Sequence, residues 1–126
     1  MHRIWLALGA LAGLAAVGLA AWAAHGAPGR LDPARLTALA NGIQQQGWHA
    51  LALLAVGLWA ERRSGVLVHL AGGAFALGLL LFCGGVYAAA IGGISLGAVA
   101  PSGGMLLMAG WALLFVAAAW PGRGNT

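Results

Sequence analysis

The few polar side chains that could do chemistry in this chain include three that follow one another along a predicted helix. Asn41, Gln45 and His49 are spaced i, i+4, i+8, which places them on one side of a helix. Amide and imidazole groups in such a row could line a path for a proton or a small solute. They could equally be structural, holding neighbouring helices together by hydrogen bonds. We expect the row to face the protein interior, with Gln46 beside it.

Histidines are also ligands for haem and metals, and the chain has four of them. A two-histidine haem site would need His25 and His49 at similar depth, but His49 lies roughly eight helical residues deeper, about 12 Å. His69 is predicted near the opposite end of the protein. We therefore expect no cofactor and no metal, and we interpret His49 as a hydrogen-bonded structural residue.

Patterns typical of enzymes are missing from the sequence. The two acids, Asp32 and Glu61, fall in predicted connecting segments, and no serine is paired with a base. No glycine-rich phosphate loop followed by lysine is present either. Cys83, the single cysteine, lies in an apolar stretch and is expected to be a buried, inert thiol without a disulfide. We expect no enzymatic activity.

The elements that must position these side chains are set by an extreme composition. Hydrophobic residues make up 62% of the chain and charged residues 6%, and mean hydropathy is +0.92. Residues 64–122 contain no charged side chain. Such a chain cannot present a charged surface to water, so the lipid bilayer is its expected solvent. Its six arginines are scattered along the chain, which argues against a nucleic-acid surface.

We predict an all-α, polytopic membrane protein, a single domain over residues 1–126 with four transmembrane helices in a compact bundle. The first apolar run is longer than the 7 to 15 residues or so of a signal-peptide core, so we expect it to be a retained span. Asp32 followed by Pro33 predicts a helix N-cap, and Pro101-Ser102-Gly103-Gly104 predicts a turn. The predicted spans are about 4–24, 40–60, 66–91 and 102–120, with an amphipathic lead-in at about 33–40 and an end signal at Pro121-Gly122.

Four crossings place both termini on one side of the membrane. The arginines then divide unequally, and the positive-inside rule makes the richer side cytoplasmic. We therefore expect a multi-pass protein of the cell inner membrane with both termini in the cytoplasm. The cytoplasmic arginines would be Arg3, Arg62, Arg63 and Arg123, against Arg30 and Arg35 outside.

Tryptophan positions fit this arrangement, because most lie toward the ends of the predicted spans. Trp111 is the exception, since it lies in the middle of a span at about the depth of His49. Its indole N–H needs a partner there. We predict that His49 and Trp111 approach each other or share a polar pocket. The tryptophans near span ends are Trp5, Trp22, Trp48, Trp59 and Trp120.

Several segments, in order and spacing, resemble the domain of unknown function 423 family, the transmembrane protein 256-like proteins. The resemblance covers about residues 5–120 and implies a four-span membrane protein but no reaction. The matching segments surround His25, residues 46–53, 81–87 and 101–104, and Gly110-Trp111. The matching positions outside the polar row are His25, Gly84, Tyr87, Pro101, Gly103 and Gly104. The chain departs from the family pattern where Ala20 and Ala23 replace glycines, Gln45 replaces a tyrosine, and Cys83 and Gly85 replace small hydroxyl residues. These changes weaken any role that depends on the missing hydroxyl groups.

A helix-packing role remains the best interpretation. Glycine- and alanine-rich faces suit close docking, so we expect an accessory, assembly or stabilising protein that binds a larger membrane complex or a second copy of itself. The alternative is an oligomeric channel or carrier for a small solute or proton, using Asn41, Gln45 and His49. Gly9 and Gly13 form a GxxxG pair, which we expect to pack within the chain rather than between chains.

Overall fold

The computed structural model describes residues 2–63 and 65–120, and all regular secondary structure in this part of the chain is helical. The all-α prediction is confirmed. Three of the four long helices are long and apolar enough to cross a bilayer, namely α1, α3 and α4. The helices are α1 (His2–His25), α2 (Pro33–Arg62), α3 (Val66–Ala90) and α4 (Val99–Ala119), with a short 3-10 turn at Ala27–Gly29 between α1 and α2.

Helix α2 differs from the other three because its N-terminal half is polar. It carries Asn41 and the consecutive glutamines Gln44, Gln45 and Gln46, and it is not among the helices apolar enough to be identified as spans. The predicted lead-in and the predicted second span form one continuous helix over Pro33–Arg62. At about 1.5 Å per residue, this helix is about 45 Å long.

The helices pack as two hairpins, α1 with α2 and α3 with α4, joined where α2 packs against α3. Helices α1 and α3 touch over only a small area. Within the described residues α1 and α4 have no close backbone contact, so the four helices do not close into a ring. The core lies between α2 and α3, where Leu53, Val56, Val68 and Phe75 are almost completely buried.

Glycine allows the backbones within each hairpin to approach closely. A Cβ atom on Gly9 would lie 2.8 Å from the backbone oxygen of Ala50 in α2, so Gly9 packs within the chain as predicted. In the other hairpin, a Cβ on Gly103 would overlap the backbone nitrogen of Phe82. Close packing through small residues replaces the hydrophobic driving force that lipid removes.

The turn predicted at Pro101-Ser102-Gly103-Gly104 is wrong, because these residues form the first turns of α4. Helix α4 begins at Val99, and the amide of Ser102 donates to the backbone oxygen of Ala98. Proline is tolerated in a first helical turn, where its missing N–H has no partner within the helix to lose. The connection is made earlier, by Gly93 and Gly97, which adopt positive φ angles.

Two contacts fix the ends of helices on the side away from Arg62. The side chain of Asp32 accepts a hydrogen bond from the amide of Arg35 at 2.9 Å, so the predicted N-cap of α2 is confirmed. The Arg35 side chain then reaches the end of α3, where its Nε donates to the Ala90 oxygen at 2.8 Å and its Nη2 to the Ile91 oxygen at 3.1 Å. The positive charge of Arg35 also interacts favourably with the dipole of α3 at the C-terminus of that helix. Ser64, the Pro121-Gly122 end signal and Arg123 lie outside the described residues.

Candidate functional site

His49 and Trp111 meet in the interior, a contact that the sequence predicts. The indole Nε1 of Trp111 donates to Nε2 of His49 at 3.0 Å. Phe75 packs against both rings, with centroids 5.5 Å from His49 and 5.0 Å from Trp111. His49 is 3% exposed, whereas Trp111 is 49% exposed and keeps one face at the protein surface.

The hydrogen bonds of His49 identify its tautomer. Its Nε2 accepts from Trp111, so that nitrogen carries no proton. Its Nδ1 lies 2.7 Å from the backbone oxygen of Gln45, which can only accept, so Nδ1 carries the proton. Both ring nitrogens of a neutral imidazole are thus satisfied. This arrangement stabilises the helix contact and leaves no free ring nitrogen to pass a proton.

The row Asn41, Gln45 and His49 does not face the interior as a unit, contrary to the prediction. Asn41 is exposed and Gln45 is half-buried, and only His49 is buried. Each i to i+4 step advances about 40° around a helix, so a row of three drifts by about 80°. The buried polar residue beside His49 is Gln46, three positions earlier, which is 7% exposed.

Gln46 joins three helices through its amide group. Its Nε2 donates to the backbone oxygen of Ala12 in α1 at 2.9 Å, and its Oε1 accepts from the hydroxyl of Tyr87 in α3 at 2.7 Å. Cys83, one turn before Tyr87, donates to the backbone oxygen of Gly42 at 3.5 Å. The sequence placed Gln46 beside the predicted polar row and Tyr87 among the family-matching positions, but the bonds of Gln46 to Tyr87 and Ala12 were not predicted.

A cavity of about 350 Å³ lies beside this group, between α1 and α3 with α2 behind it. It exists because α1 packs on α2 and barely touches α3. Its walls are mostly aliphatic, and the polar side chains among its lining residues are those of Gln46, Cys83 and Tyr87. The remaining lining residues are Leu8, Leu11, Ala12, Leu53, Ala76, Leu79, Leu80 and Gly84.

The family-matching positions fall into three groups. Gln46, Tyr87 and Gly84 line the cavity. Gly103 is buried against α3, while Pro101 is exposed and Gly104 is half-buried. His25 is exposed, and its Nδ1 donates to the backbone oxygen of Ala21 at 2.9 Å.

A second tryptophan–histidine contact was missed entirely. The sequence predicts Trp5 and His69 as separate residues near the membrane surface, yet Trp5 is 9% exposed and its Nε1 donates to Nδ1 of His69 at 2.9 Å. This bond joins α1 to α3, and the Trp111–His49 bond joins α4 to α2. Both contacts cross from one hairpin to the other.

Over residues 2–63 and 65–120, no group of three His, Cys, Asp or Glu side chains could hold a metal ion. Several side-chain hydrogen bonds join different helices, among them Trp111–His49, Trp5–His69 and Gln46–Tyr87. The arrangement holds the helices together and places a polar side chain at the wall of an apolar cavity.

Comparison with known proteins identifies relatives over nearly the whole chain. The family model for the protein of unknown function DUF423 matches residues 19–104. The UPF0382 membrane protein YwdK of Bacillus subtilis is 37% identical, covering 92% of this chain and 96% of that protein. The UPF0382 inner membrane protein YgdD of Escherichia coli K12 is 32% identical, covering 92% of this chain and 89% of that protein.

A third relative, the UPF0382 membrane protein SH2409 of Staphylococcus haemolyticus, is 34% identical, covering 90% of this chain and 93% of that protein. No solved structure matches the chain significantly. The resemblance noted from the sequence is thereby confirmed. With its three long apolar helices and these relatives, the chain is a small membrane protein, and it belongs to the DUF423 family.

Proposed function

We propose that this protein is a non-catalytic accessory subunit that stabilises or assembles a larger complex in the cell inner membrane. The docking surface would be the outer face of α1, defined by Ala7, Ala10, Leu14, Gly18 and Ala21. These positions lie within about 40° of Leu14 around the helix and are all exposed. The opposite side of α1 carries the buried residues Trp5, Gly9 and Ala16, which pack inward.

The observation that carries the proposal is the low burial of α1, whose outer face also carries an open glycine. Gly9, Gly78 and Gly103 are occupied by contacts within the chain, and a Cβ on any of them would clash. A Cβ on Gly18 would meet nothing within 4 Å. Helix α1 is also the least buried of the three apolar helices, at 17% of its most apolar window against 39% for α3 and 28% for α4. Small exposed residues let a second helix approach closely.

The proposal includes four membrane crossings with both termini in the cytoplasm. Support for the crossing of α2 comes from its antiparallel pairing with α1 along the whole length of the hairpin. Gly57 packs against Leu6 and the backbone of His2, while Gln46 bonds to Ala12. A helix paired in this way covers the same depth as α1. The name of the Escherichia coli relative and the excess of arginine at one end support the inner membrane and the cytoplasmic termini.

Extraction in a mild detergent, followed by native electrophoresis and mass spectrometry, tests the accessory role. We expect the protein to migrate in a larger complex of reproducible composition. Gly18→Trp should release it, because the indole would stand on the docking face at a position where a Cβ meets nothing within 4 Å. The matched control is Ala109→Trp, at an exposed position on α4. A protein that always migrates alone, or that is released equally by both substitutions, would contradict the proposal.

An oligomeric channel or carrier built on Asn41, Gln45 and His49 has less support. Asn41 is exposed on the outside of the chain, and both nitrogens of His49 are already bonded. Flux into proteoliposomes, compared between the native protein and His49→Ala, tests this alternative. A flux that depends on His49 would favour the carrier over the accessory role.

A further inference from the structure

We propose that the cavity between α1 and α3 binds an uncharged lipid that carries a carbonyl group next to an apolar chain, as an isoprenoid quinone does. This site is separate from the outer face of α1 and does not depend on the accessory role. Its volume, about 350 Å³, lies in the range of small-molecule sites, roughly 300–1,000 Å³. Such sites typically combine apolar walls with a few fixed polar groups, as this cavity does.

The polar group that would recognise the carbonyl is the side-chain amide of Gln46. This residue is 7% exposed and lines the cavity. Its Nε2 has two hydrogens. One of these hydrogens is donated to the backbone oxygen of Ala12. Among the described residues, no hydrogen-bond acceptor contacts the other. A buried N–H without an acceptor is unfavourable. A ligand that supplies an acceptor inside the cavity would remove that penalty.

The neighbouring groups orient the amide. The hydroxyl of Tyr87 donates to Oε1 of Gln46, which fixes the oxygen on the Tyr87 side and the nitrogen on the Ala12 side. The ligand therefore meets a donor, not an acceptor. A carbonyl oxygen satisfies a donor and brings no hydrogen that would itself need a partner.

Depth excludes a charged headgroup. Ala12 lies near the middle of α1, which extends over His2–His25, so the Gln46 amide lies within a few Å of the centre of that helix. When α1 crosses the bilayer, the nearest interface is about 15 Å away. The headgroup and esters of a phospholipid lie at that interface and cannot reach Gln46 while remaining hydrated. An uncharged carbonyl lipid can place its polar atom at this depth.

The shape of the cavity gives the ligand a route. Helices α1 and α3 touch over a small area, and the lining residues Leu11, Leu80 and Gly84 are at least partly exposed. The opening therefore faces the surroundings of α1 and α3 rather than the interior of the core. A lipid would enter sideways from the bilayer, with its apolar chain along Leu8, Leu79 and Leu80.

Binding of two probes to the purified protein in nanodiscs tests the proposal. Decylubiquinone has the carbonyl groups and decylbenzene has a similar apolar body without them. Binding is measured by titration with native mass spectrometry, and the carbonyl stretch of bound decylubiquinone is followed by infrared difference spectroscopy. We expect decylubiquinone to bind about fivefold more tightly than decylbenzene, which is the difference in affinity that one ordinary hydrogen bond produces. The carbonyl band of the bound decylubiquinone should shift to lower frequency.

Two matched pairs of variants locate the site. Gln46→Met should abolish the preference for decylubiquinone and the band shift, whereas Gln44→Met, at an exposed position on the same helix, should change neither. Gly84→Leu should weaken both probes about tenfold by filling the cavity, since a Cβ there meets nothing within 4 Å. Gly73→Leu is its control, on the same face of α3 and equally open, but outside the lining. The Gly84 pair remains informative if Gln46→Met does not fold.

Several results would overturn the proposal. Equal binding of both probes would mean that the cavity takes any apolar chain and that Gln46 is purely structural. A preference that survives in Gln46→Met, or unchanged binding in Gly84→Leu, would place the ligand elsewhere. Binding that occurs only at concentrations where apolar probes bind non-specifically to any membrane protein would also reject a built site.

Discussion

The Trp111–His49 hydrogen bond should contribute measurably to stability, and a double-mutant cycle isolates it. Trp111→Phe removes the donor but keeps an aromatic ring next to Phe75, whose centroid lies 5.0 Å from the indole. His49→Leu removes the acceptor and keeps an apolar side chain of moderate size in a site that is 3% exposed. The double variant lacks both partners, so neither is left unpaired.

The magnitude follows from the environment of the bond. A 3.0 Å N–H···N contact to a buried acceptor contributes about 0.5–1.5 kcal/mol net in water-soluble proteins. Within membrane proteins the average is about 0.6 kcal/mol and the largest values about 1.7 kcal/mol, because the separated helices also find partners. We expect each single variant to lose about 1–2 kcal/mol and the coupling energy to be about 1 kcal/mol.

The assay is reversible unfolding in mixed detergent micelles, followed by far-ultraviolet circular dichroism so that the loss of a tryptophan does not affect the signal. Trp48→Phe combined with His49→Leu is the matched control, because Trp48 is 55% exposed and adjacent in sequence. This control pair should be additive. A Trp111–His49 coupling energy below about 0.3 kcal/mol would refute the reasoning. Nitrogen-15 spectra of His49 should also show Nδ1, not Nε2, carrying the proton.

Other predictions concern packing, capping and topology. Gly103→Ala should destabilise the α3–α4 hairpin by about 2 kcal/mol or more through overpacking, measured in the same unfolding assay. Gly104→Ala should be nearly neutral, because its Cβ would lie 3.7 Å from its nearest neighbour. Arg35→Met should cost about 1–3 kcal/mol by removing both bonds to the end of α3, and unchanged stability would show that these bonds have no net value. Topology is tested with single cysteines introduced into a Cys83→Ala background. A membrane-impermeant maleimide applied to intact cells should label Ser95→Cys and not Glu61→Cys. The reverse labelling pattern would mean that the proposed orientation is inverted.

Much of the helical arrangement could be predicted from the sequence because lipid imposes simple rules. Uncharged runs long enough to cross a bilayer must be helical, and the structure has helices over Val66–Ala90 and Val99–Ala119 in the uncharged part of the chain. The contact between His49 and Trp111 was predictable for a related reason. Each is a polar group at mid-helix depth, and each requires a partner there.

What could not be predicted depends on helix rotation and on the positions of neighbouring helices. The i, i+4, i+8 spacing identifies a row but not its direction, so it included the exposed Asn41 and put Gln46 to one side. A better signal was available in the spacing of Gly42, Gln46, His49 and Leu53, which follows the buried face of α2. The Pro101 turn was mispredicted because proline and glycine signal a turn in most contexts, whereas here they start a helix and pack it closely. The contacts of Tyr87 and Arg35 join residues far apart in sequence.

The two tryptophan–histidine bonds have a consequence for how the chain is built. Each hairpin has its own extensive contact surface, and each of the two bonds runs between the hairpins, Trp5 to His69 and Trp111 to His49. We therefore expect each hairpin to form first and the two hairpins to associate in a later step. Splitting the gene at the Arg63 connection should yield two fragments that insert into the membrane separately and then associate. The two tryptophan–histidine hydrogen bonds should form only when the fragments associate in the native register.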